Sequence, residues 1–352
     1  MKLSIDDVRA AVLGGAVLGG GGGGSMENGL ELGERALRVG EPELVQIAEV
    51  PQDGIQLTCS YVGSPAAKHI HVEPEAYIRS VEMVVERIDS PVCGLISNEC
   101  GGTAVVNGWF QGAVLGIPVV DAPCNGRAHP TGAMGSMGLH ALPGYISMQA
   151  AAGGEAGAGR YLEMVVRGDL ECASKLIRQA SIQAGGMVAV ARNPVEAGYV
   201  RRHGAPGAVQ KSMEVGRLML DAVPHGGAAV CEAAAAALDG KIIESGTVRA
   251  VVLSSSGGFD TGRVKVGDYE LVFWNEYMTL EKNAVRIGTF PDLIMTLDAH
   301  TGMPVTSAQI LEGQQVALLL VPQQKLILGA GMFYPELYAQ GEEALGMKLV
   351  KR

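Results

Sequence analysis

The sequence predicts an α/β fold: an N-terminal α/β domain built on a parallel strand–helix–strand unit, then a second domain with a β-rich portion. Three observations carry that prediction. Residues 92–120 read as strand, helix and strand within about 30 residues, a spacing that requires a crossover and hence parallel pairing. From residue 241 onward, short apolar runs broken by Gly, Asp and Asn turns replace helical periodicity. The chain has 352 residues, 47% of them apolar and 18% charged, which suits two globular domains and excludes disorder or a coiled coil. The expected division is 1–160 for the N-terminal domain and 161–352 for the C-terminal one, with its β-rich part at about 241–325.

The elements follow in order. Ser4 caps an amphipathic helix carrying Val8, Ala11 and Val12, which runs into six glycines at 19–24. Glycines in a row make a poor helix or strand interior, because each loses the most backbone entropy. They form a loop that can approach another group closely, or whose amides can cradle an oxyanion or carboxylate. No Lys-Ser/Thr completes a P-loop there, and no strand precedes it as a dinucleotide fingerprint requires. A helix is expected at 25–38, then strands at 45–50 and 55–62 around a Pro-Gln-Asp-Gly turn. Tyr77, Ile78, Val81, Val84, Val85 and Ile88 make a helical stripe over 75–88.

Then comes the strand at 92–97. Thr103 is placed to cap a helix over 104–115 that Gly116 ends, and a second strand follows at 117–120. Residues 134–159, rich in Gly, Ala and Met, read as a loop or lid and a soft domain boundary. A strand at 161–166, a helix at 170–183 and a strand at 187–191 come next. Helices are expected at 194–203, 208–222 and 230–238. The β-rich portion contributes strands at 248–253, 262–266, 269–274, 285–289, 293–297 and 315–321.

Composition narrows function. A net charge of −10 and 5% aromatics leave no basic face or stacking platform for nucleic acid. Six scattered cysteines without a CxxC pair read as cytosolic thiols. No unbroken apolar run of about 18 residues suggests a membrane span. Asp6 and Asp7 replace the basic start of a signal peptide, so a cytoplasmic protein is expected, with a homo-oligomer as its assembly.

The carboxyl ends of the two parallel strands are where α/β sheets place their sites. One end carries Asn98, Glu99, Cys100, Gly101 and Gly102; the other carries Asp121, Cys124, Asn125, Arg127 and His129. If Gly101 and Gly102 open a helix, their amides are free donors at its positive end and Cys100 gains a lowered thiol pKa. Glu99 suits a general base. Cys124 with His129 suits a nucleophile and its proton partner, and Arg127 suits a substrate carboxylate. The plainer alternatives are a tight turn with a packed Cys100, and a structural Asp121–Arg127 pair. His69 and His71 share a face of an extended segment and could ligate zinc, the one cofactor the pattern admits; none is otherwise expected. Asn275-Glu276, after a strand, could hold a substrate amide or orient water, or form an ordinary turn.

Taken together, residues 18–24, 99–102, Asp121, residues 126–130, Asn275-Glu276 and residues 291–294 resemble the S-methyl thiohydantoin desulfurase-like family, often found beside hydantoinase-type enzymes. The resemblance covers nearly the whole chain. This chain departs from the family's pattern in Pro123, Cys124 and His129, where an acidic residue, a glycine and an aromatic are usual, and in its His69-Ile70-His71 element. The resemblance implies a hydrolase acting on a carbon–sulfur bond, which releases methanethiol from a carboxylate-bearing S-methyl thiohydantoin and leaves a hydantoin. Such a substrate fits ergothioneine breakdown. On this reading Cys124 or Cys100 is the nucleophile, His129 the acid/base, and Glu99 or Asp121 activates water. Asn98, Gly101, Gly102, Asn125, Arg127, Asn275 and Glu276 bind the heterocycle. Two alternatives stand beside it: a zinc hydrolase of a related cyclic amide or amidine, and a non-catalytic metabolite-binding protein or subunit of a hydantoinase-like complex.

Overall fold

The computed structural model describes residues 1–64, 67 and 69–349. Its first helix, α1 (Ile5–Leu18), begins as a capping box: Ser4 Oγ accepts from Asp7 N–H, and Asp7 Oδ2 accepts from Ser4 N–H at 2.9 Å. The helix was expected to be amphipathic. It is instead buried from Ala10 to Leu18 without a break, and threads the centre of the molecule. Its small residues explain how. Gly14 meets the backbone at Ser212, and Gly216 meets the backbone at Ala10, so α1 and α7 (Ala208–Ala222) cross with no side chain between them. Helix α2 (Met26–Val39) is capped by Ser25.

A seven-stranded mixed sheet has the order β1-β4-β3-β2-β7-β5-β6. Strands β1 (Leu44–Gln46), β2 (Ile55–Gly63), β3 (Val92–Ser97) and β4 (Val119–Asp121) are parallel. Strands β5 (Ser147–Gly153), β6 (Leu162–Gly168) and β7 (Met187–Glu196) complete it antiparallel. Helices α3 (Pro74–Val85), α4 (Trp109–Leu115) and α5 (Leu170–Gln183) connect them. The strand–helix–strand unit pairs in parallel as expected, with Leu95 opposite Val119.

Three local expectations fail. No helix starts at Thr103: a single 3-10 turn, Ala104–Val106, comes first, and α4 begins only after Gly108, whose φ of 92° breaks the path. Residues 134–159 are not simply a loop or lid, because they contain β5, an interior strand. Alanines at 150–152 pack it in the core, where low side-chain volume hid its β character. The sheet therefore runs across residue 160. Strand β7 also continues to Glu196, through a segment expected to be helical, before α6 (Ala197–His203).

After α8 (Gly227–Ala237), an eight-stranded antiparallel sheet has the order β12-β11-β10-β9-β8-β15-β13-β14. Its strands are β8 (Lys241–Ser256), β9 (Phe259–Val266), β10 (Tyr269–Trp274), β11 (Glu276–Lys282), β12 (Val285–Thr289), β13 (Leu293–Asp298), β14 (Pro304–Val305) and β15 (Gln315–Val321). The chain closes with α9 (Ala339–Leu345). Among the described residues no helix is long and apolar enough to cross a membrane.

The glycine loop after α1 ties the sheets together. Gly20 C=O accepts from Tyr277 N–H on β11 at 2.8 Å, and Gly21 C=O accepts from Ser307 N–H at 2.9 Å. On its other side Gly23 C=O accepts from Thr103 and Ala104 N–H. A Cβ on Gly23 would lie 2.5 Å from Gly101 Cα, and one on Gly101 would lie 2.6 Å from Gly23 O. Backbone against backbone cannot yield as a side-chain tip can. Gly101→Ala is therefore expected to cost about 1–3 kcal/mol in denaturant unfolding. Gly168→Ala, in open space, should stay within about 0.5 kcal/mol of wild type.

Candidate active site at the seam of the two sheets

A cavity of about 210 Å³ opens where these elements converge, a size suited to a small metabolite. Glycines 21–24 form one wall. The carboxyl ends of β2 and β3 supply Tyr61, Asn98 and Glu99, and the loop after β4 supplies His129 to Gly132. Helix α5 adds Ser174 and Arg178, and β7 adds Arg192. The second sheet contributes Asp260, Asn275 and Glu276, with residues 306–309 closing the rim.

Glu99 and His129 form its centre. The loops after β3 and β4 meet through two backbone bonds, Cys124 N–H to Ser97 O at 2.9 Å and Cys100 N–H to Asn125 O at 3.2 Å. That brings His129 N–H within 3.1 Å of Glu99 Oε2, and His129 Nδ1 to 3.2 Å from the same oxygen. Nδ1 is out of line for a hydrogen bond and has no other partner. Nε2 lies 3.4 Å from Asn98 O. Donation from Nε2–H to that carbonyl leaves a lone pair on Nδ1, facing a carboxylate oxygen. Protonation of Glu99 relieves two acceptors set face to face, and burial drives it the same way, raising Glu99 to about 7. Burial, with Arg192 adding repulsion, lowers His129 to about 3, so its imidazole is neutral at ordinary pH.

Glu276 opens β11 directly after Asn275, which adopts a left-handed φ of 56° and accepts from Asp260 N–H. The turn redirects the chain so that the carboxyl enters the cavity wall against Gly22, where a Cβ would lie 2.6 Å from Glu276 Cδ. Burial first, then the charge of Glu99, holds Glu276 well above the ordinary carboxyl range; its Oε2 is buried without a hydrogen-bond partner.

The structure thus brings Asn98, Glu99, His129, Asn275 and Glu276 to one cavity, and leaves the other expected residues outside it. Cys124 is buried behind the site, its thiol 3.3 Å from Thr58 Oγ1, and Cys100 Sγ donates to Ala208 O at 3.5 Å. Cys100 has no helix start beside it, and the smaller lowering influence of Ser212 does not offset its burial. Burial pushes Cys100 up to about 12 and Cys124 up to about 11, the opposite of an activated nucleophile. Asp121 accepts from Val209 and Gln210 N–H, capping α7, and does not reach the cavity. Asn125 is used by Gly329 N–H and Arg127 O.

Arg127, expected to take a substrate carboxylate, is fully buried and serves the fold instead. Its guanidinium lies 4.5 Å over the Phe290 ring and donates to the carbonyls of Ala128, Pro291 and Asp292. Gly101 and Gly102 pack on the glycine loop. His69 is exposed, and His71 Nε2 pairs with Glu73 at 2.8 Å. Among the described residues no three His, Cys, Asp or Glu side chains are arranged to hold a metal ion, so His69 and His71 find no third ligand there. Arg178 and Arg192 were not anticipated. Arg178 lies on an amphipathic helix and Arg192 on a strand buried along nearly its whole length, and nothing in spacing marks either.

Family models for the S-Me-THD-like N-terminal and C-terminal domains match residues 6–158 and 168–330. The chain belongs to the S-Me-THD-like family. A crystal structure of a protein from Chromobacterium violaceum shares its fold, with a TM-score of 0.71 at 20% identity over 100% of both chains. Curated proteins return no match. In this S-Me-THD-like chain the raised Glu99 links protonation to folding. Its folded pKa near 7 lies above the ordinary 4.5, so its contribution to stability is complete below about 4.5 and is lost as pH rises through about 7. Glu99→Gln should flatten that part of the pH–stability curve, read from denaturant midpoints between pH 4 and 8.

Proposed function

We propose that this protein hydrolyses a carboxylate-bearing S-methyl thiohydantoin, releasing methanethiol and leaving a hydantoin. The observation that carries the reading is the pair of buried carboxyl groups, Glu99 and Glu276, lining one cavity that no thiol enters; burial raises both, and the charge of Glu99 raises Glu276 further. Two carboxyls held at different protonation states supply a base and an acid. Family membership supports the heterocycle as the substrate class. With both candidate thiols outside the cavity, water is the nucleophile in this mechanism.

Glu99, in its ionised fraction, takes a proton from water as the oxygen bonds to the ring carbon that bears the methylthio group. Glu276, kept protonated, gives its proton to the adjacent ring nitrogen. The tetrahedral centre then collapses: the C–S bond breaks, the new C–O bond becomes a carbonyl, and methanethiolate leaves with the proton held on Glu99. The hydroxyl proton returns to Glu276, restoring both groups. Neutral His129 fixes Glu99 through its amide, and Asn98 fixes His129.

The test is methanethiol release from 3-(S-methyl thiohydantoin) propionate, followed with a thiol reagent alongside hydantoin formation. Glu99→Gln is expected to lower kcat at least about a hundredfold. Cys124→Ala and Cys100→Ala, if folded, should stay within several-fold of wild type. The kcat/KM profile should rise with pH through about 7, as Glu99 ionises. Loss of turnover on replacing either cysteine, with folding intact, would return the reaction to a thiol nucleophile. Tight binding of the propionate with no turnover would favour a carrier.

A further inference from the structure

Three arginines stand around this cavity, Arg127 and Arg192 buried and Arg178 half-buried, and the fold holds Arg127 and Arg178 through several carbonyls each. Arg127 clamps the turn at residues 290–292 as described. Arg178 donates to the carbonyls of Gly63, Gly258 and Pro130 and lies 4.2 Å over the Phe259 ring. Arg192 differs. It is 3% exposed, lines the cavity, and donates to no described residue; its Nε is wholly buried without an acceptor. The neighbouring carboxylates are otherwise occupied. Glu99 accepts the His129 amide, and Asp260 accepts the hydroxyls of Ser64 and Ser255. Gly132 lies over the guanidinium, where a Cβ would come within 2.6 Å of Nη1.

A buried guanidinium with no hydrogen-bonded counter-ion is costly to a fold unless a ligand supplies one. Its fork matches a carboxylate bidentately. We propose that Arg192 is the receptor for an anionic arm of the substrate, so that the cavity selects heterocycles bearing a carboxylate over their neutral counterparts. The identity of the heterocycle rests on the hydrolase reading above; the anion receptor does not.

The experiment compares 3-(S-methyl thiohydantoin) propionate with its primary amide, using wild type, Arg192→Met and Arg192→Lys. Calorimetric binding of hydantoin propionate and thermal midpoints accompany the kinetics. Wild type should prefer the carboxylate by tens- to about a hundredfold in kcat/KM, as a charge-assisted hydrogen bond implies. Arg192→Met should erase the preference, mainly through KM, and leave the amide little changed. Arg192→Lys should keep part of it. The midpoint of Arg192→Met should equal or exceed that of wild type, because an unpaired buried charge is removed.

A Met variant that retains the wild-type preference overturns the proposal. So does one with a lowered midpoint that loses both substrates equally, since that marks a structural arginine. If wild type turns over neither compound, the hydrolase reading fails by itself, and calorimetry decides for Arg192. Hydantoin propionate binding that is lost in Arg192→Met supports the receptor. Binding unchanged in Arg192→Met, or absent in wild type, overturns it.

Discussion

At Gly23 and Gly101 two stretches of backbone touch with no room for a side chain between them, and the site depends on that contact. One stretch leaves the central buried helix; the other leaves the third strand of the mixed sheet. Because they meet, the glycine loop stands beside Glu99, and the same loop hands its carbonyls to Tyr277 and Ser307 of the second domain. The cavity is therefore a seam, walled by both sheets. Glycine at 20, 21, 23 and 24 meets a second demand there, since each residue has positive φ. The run lets three layers of backbone approach closely enough to bury two carboxyl groups in the cavity wall.

Burial sets the chemistry. Burial is the largest influence on Glu99, Glu276 and His129 alike, and in each it favours the neutral form. The three then diverge through their neighbours. Glu99 receives an amide and feels Arg192, which tempers its rise; Glu276 feels the charge of Glu99, which adds to its own. Two carboxyls that feel one another's charge lose their protons in separate steps, and their surroundings decide which of them keeps the proton. Here the His129 amide reaches Glu99 because two strand-end loops are laced by main-chain bonds, whereas the charge of Glu99 bears on Glu276, whose Oε2 has no hydrogen-bond partner.

Much of the fold was readable from periodicity. The helix at 170–183 and the strands at 92–97, 269–274, 285–289 and 315–321 were expected with the bounds observed. Errors gathered where local pattern and tertiary burial disagree. Ala150 to Ala152 form a strand because they lie between two others, and β7 extends past a proline at 194 that suggested a helix start. Asn275-Glu276 had the composition of a turn, yet only Asn275 turns; Glu276 starts a strand that pattern alone did not mark. The site was half readable. Strand ends pointed to Glu99 and His129 on sound topological grounds. Nothing in one dimension could tell that Cys100 would be turned toward α7, or that Asp121 would cap that helix rather than face a ligand.

The arginines show why such distinctions need coordinates. Arg127 sits in a loop dense with reactive groups, and Arg192 in an unremarkable strand, so the loop arginine drew the substrate role. Hydrogen-bond accounting reverses the choice. Arg127 meets three carbonyls and a ring, and its remaining Nη2 is sealed against Gly20, so its unmet donor has no access to a ligand. Arg192 combines an unmet donor set with a cavity to receive one. The same test separates the thiols from the carboxyls: Cys100 and Cys124 have acceptors or donors within the fold and no opening, whereas Glu276 has an opening and an oxygen with no partner. An unsatisfied polar atom marks function only where space adjoins it, and in this chain that conjunction falls on the wall shared by the two sheets.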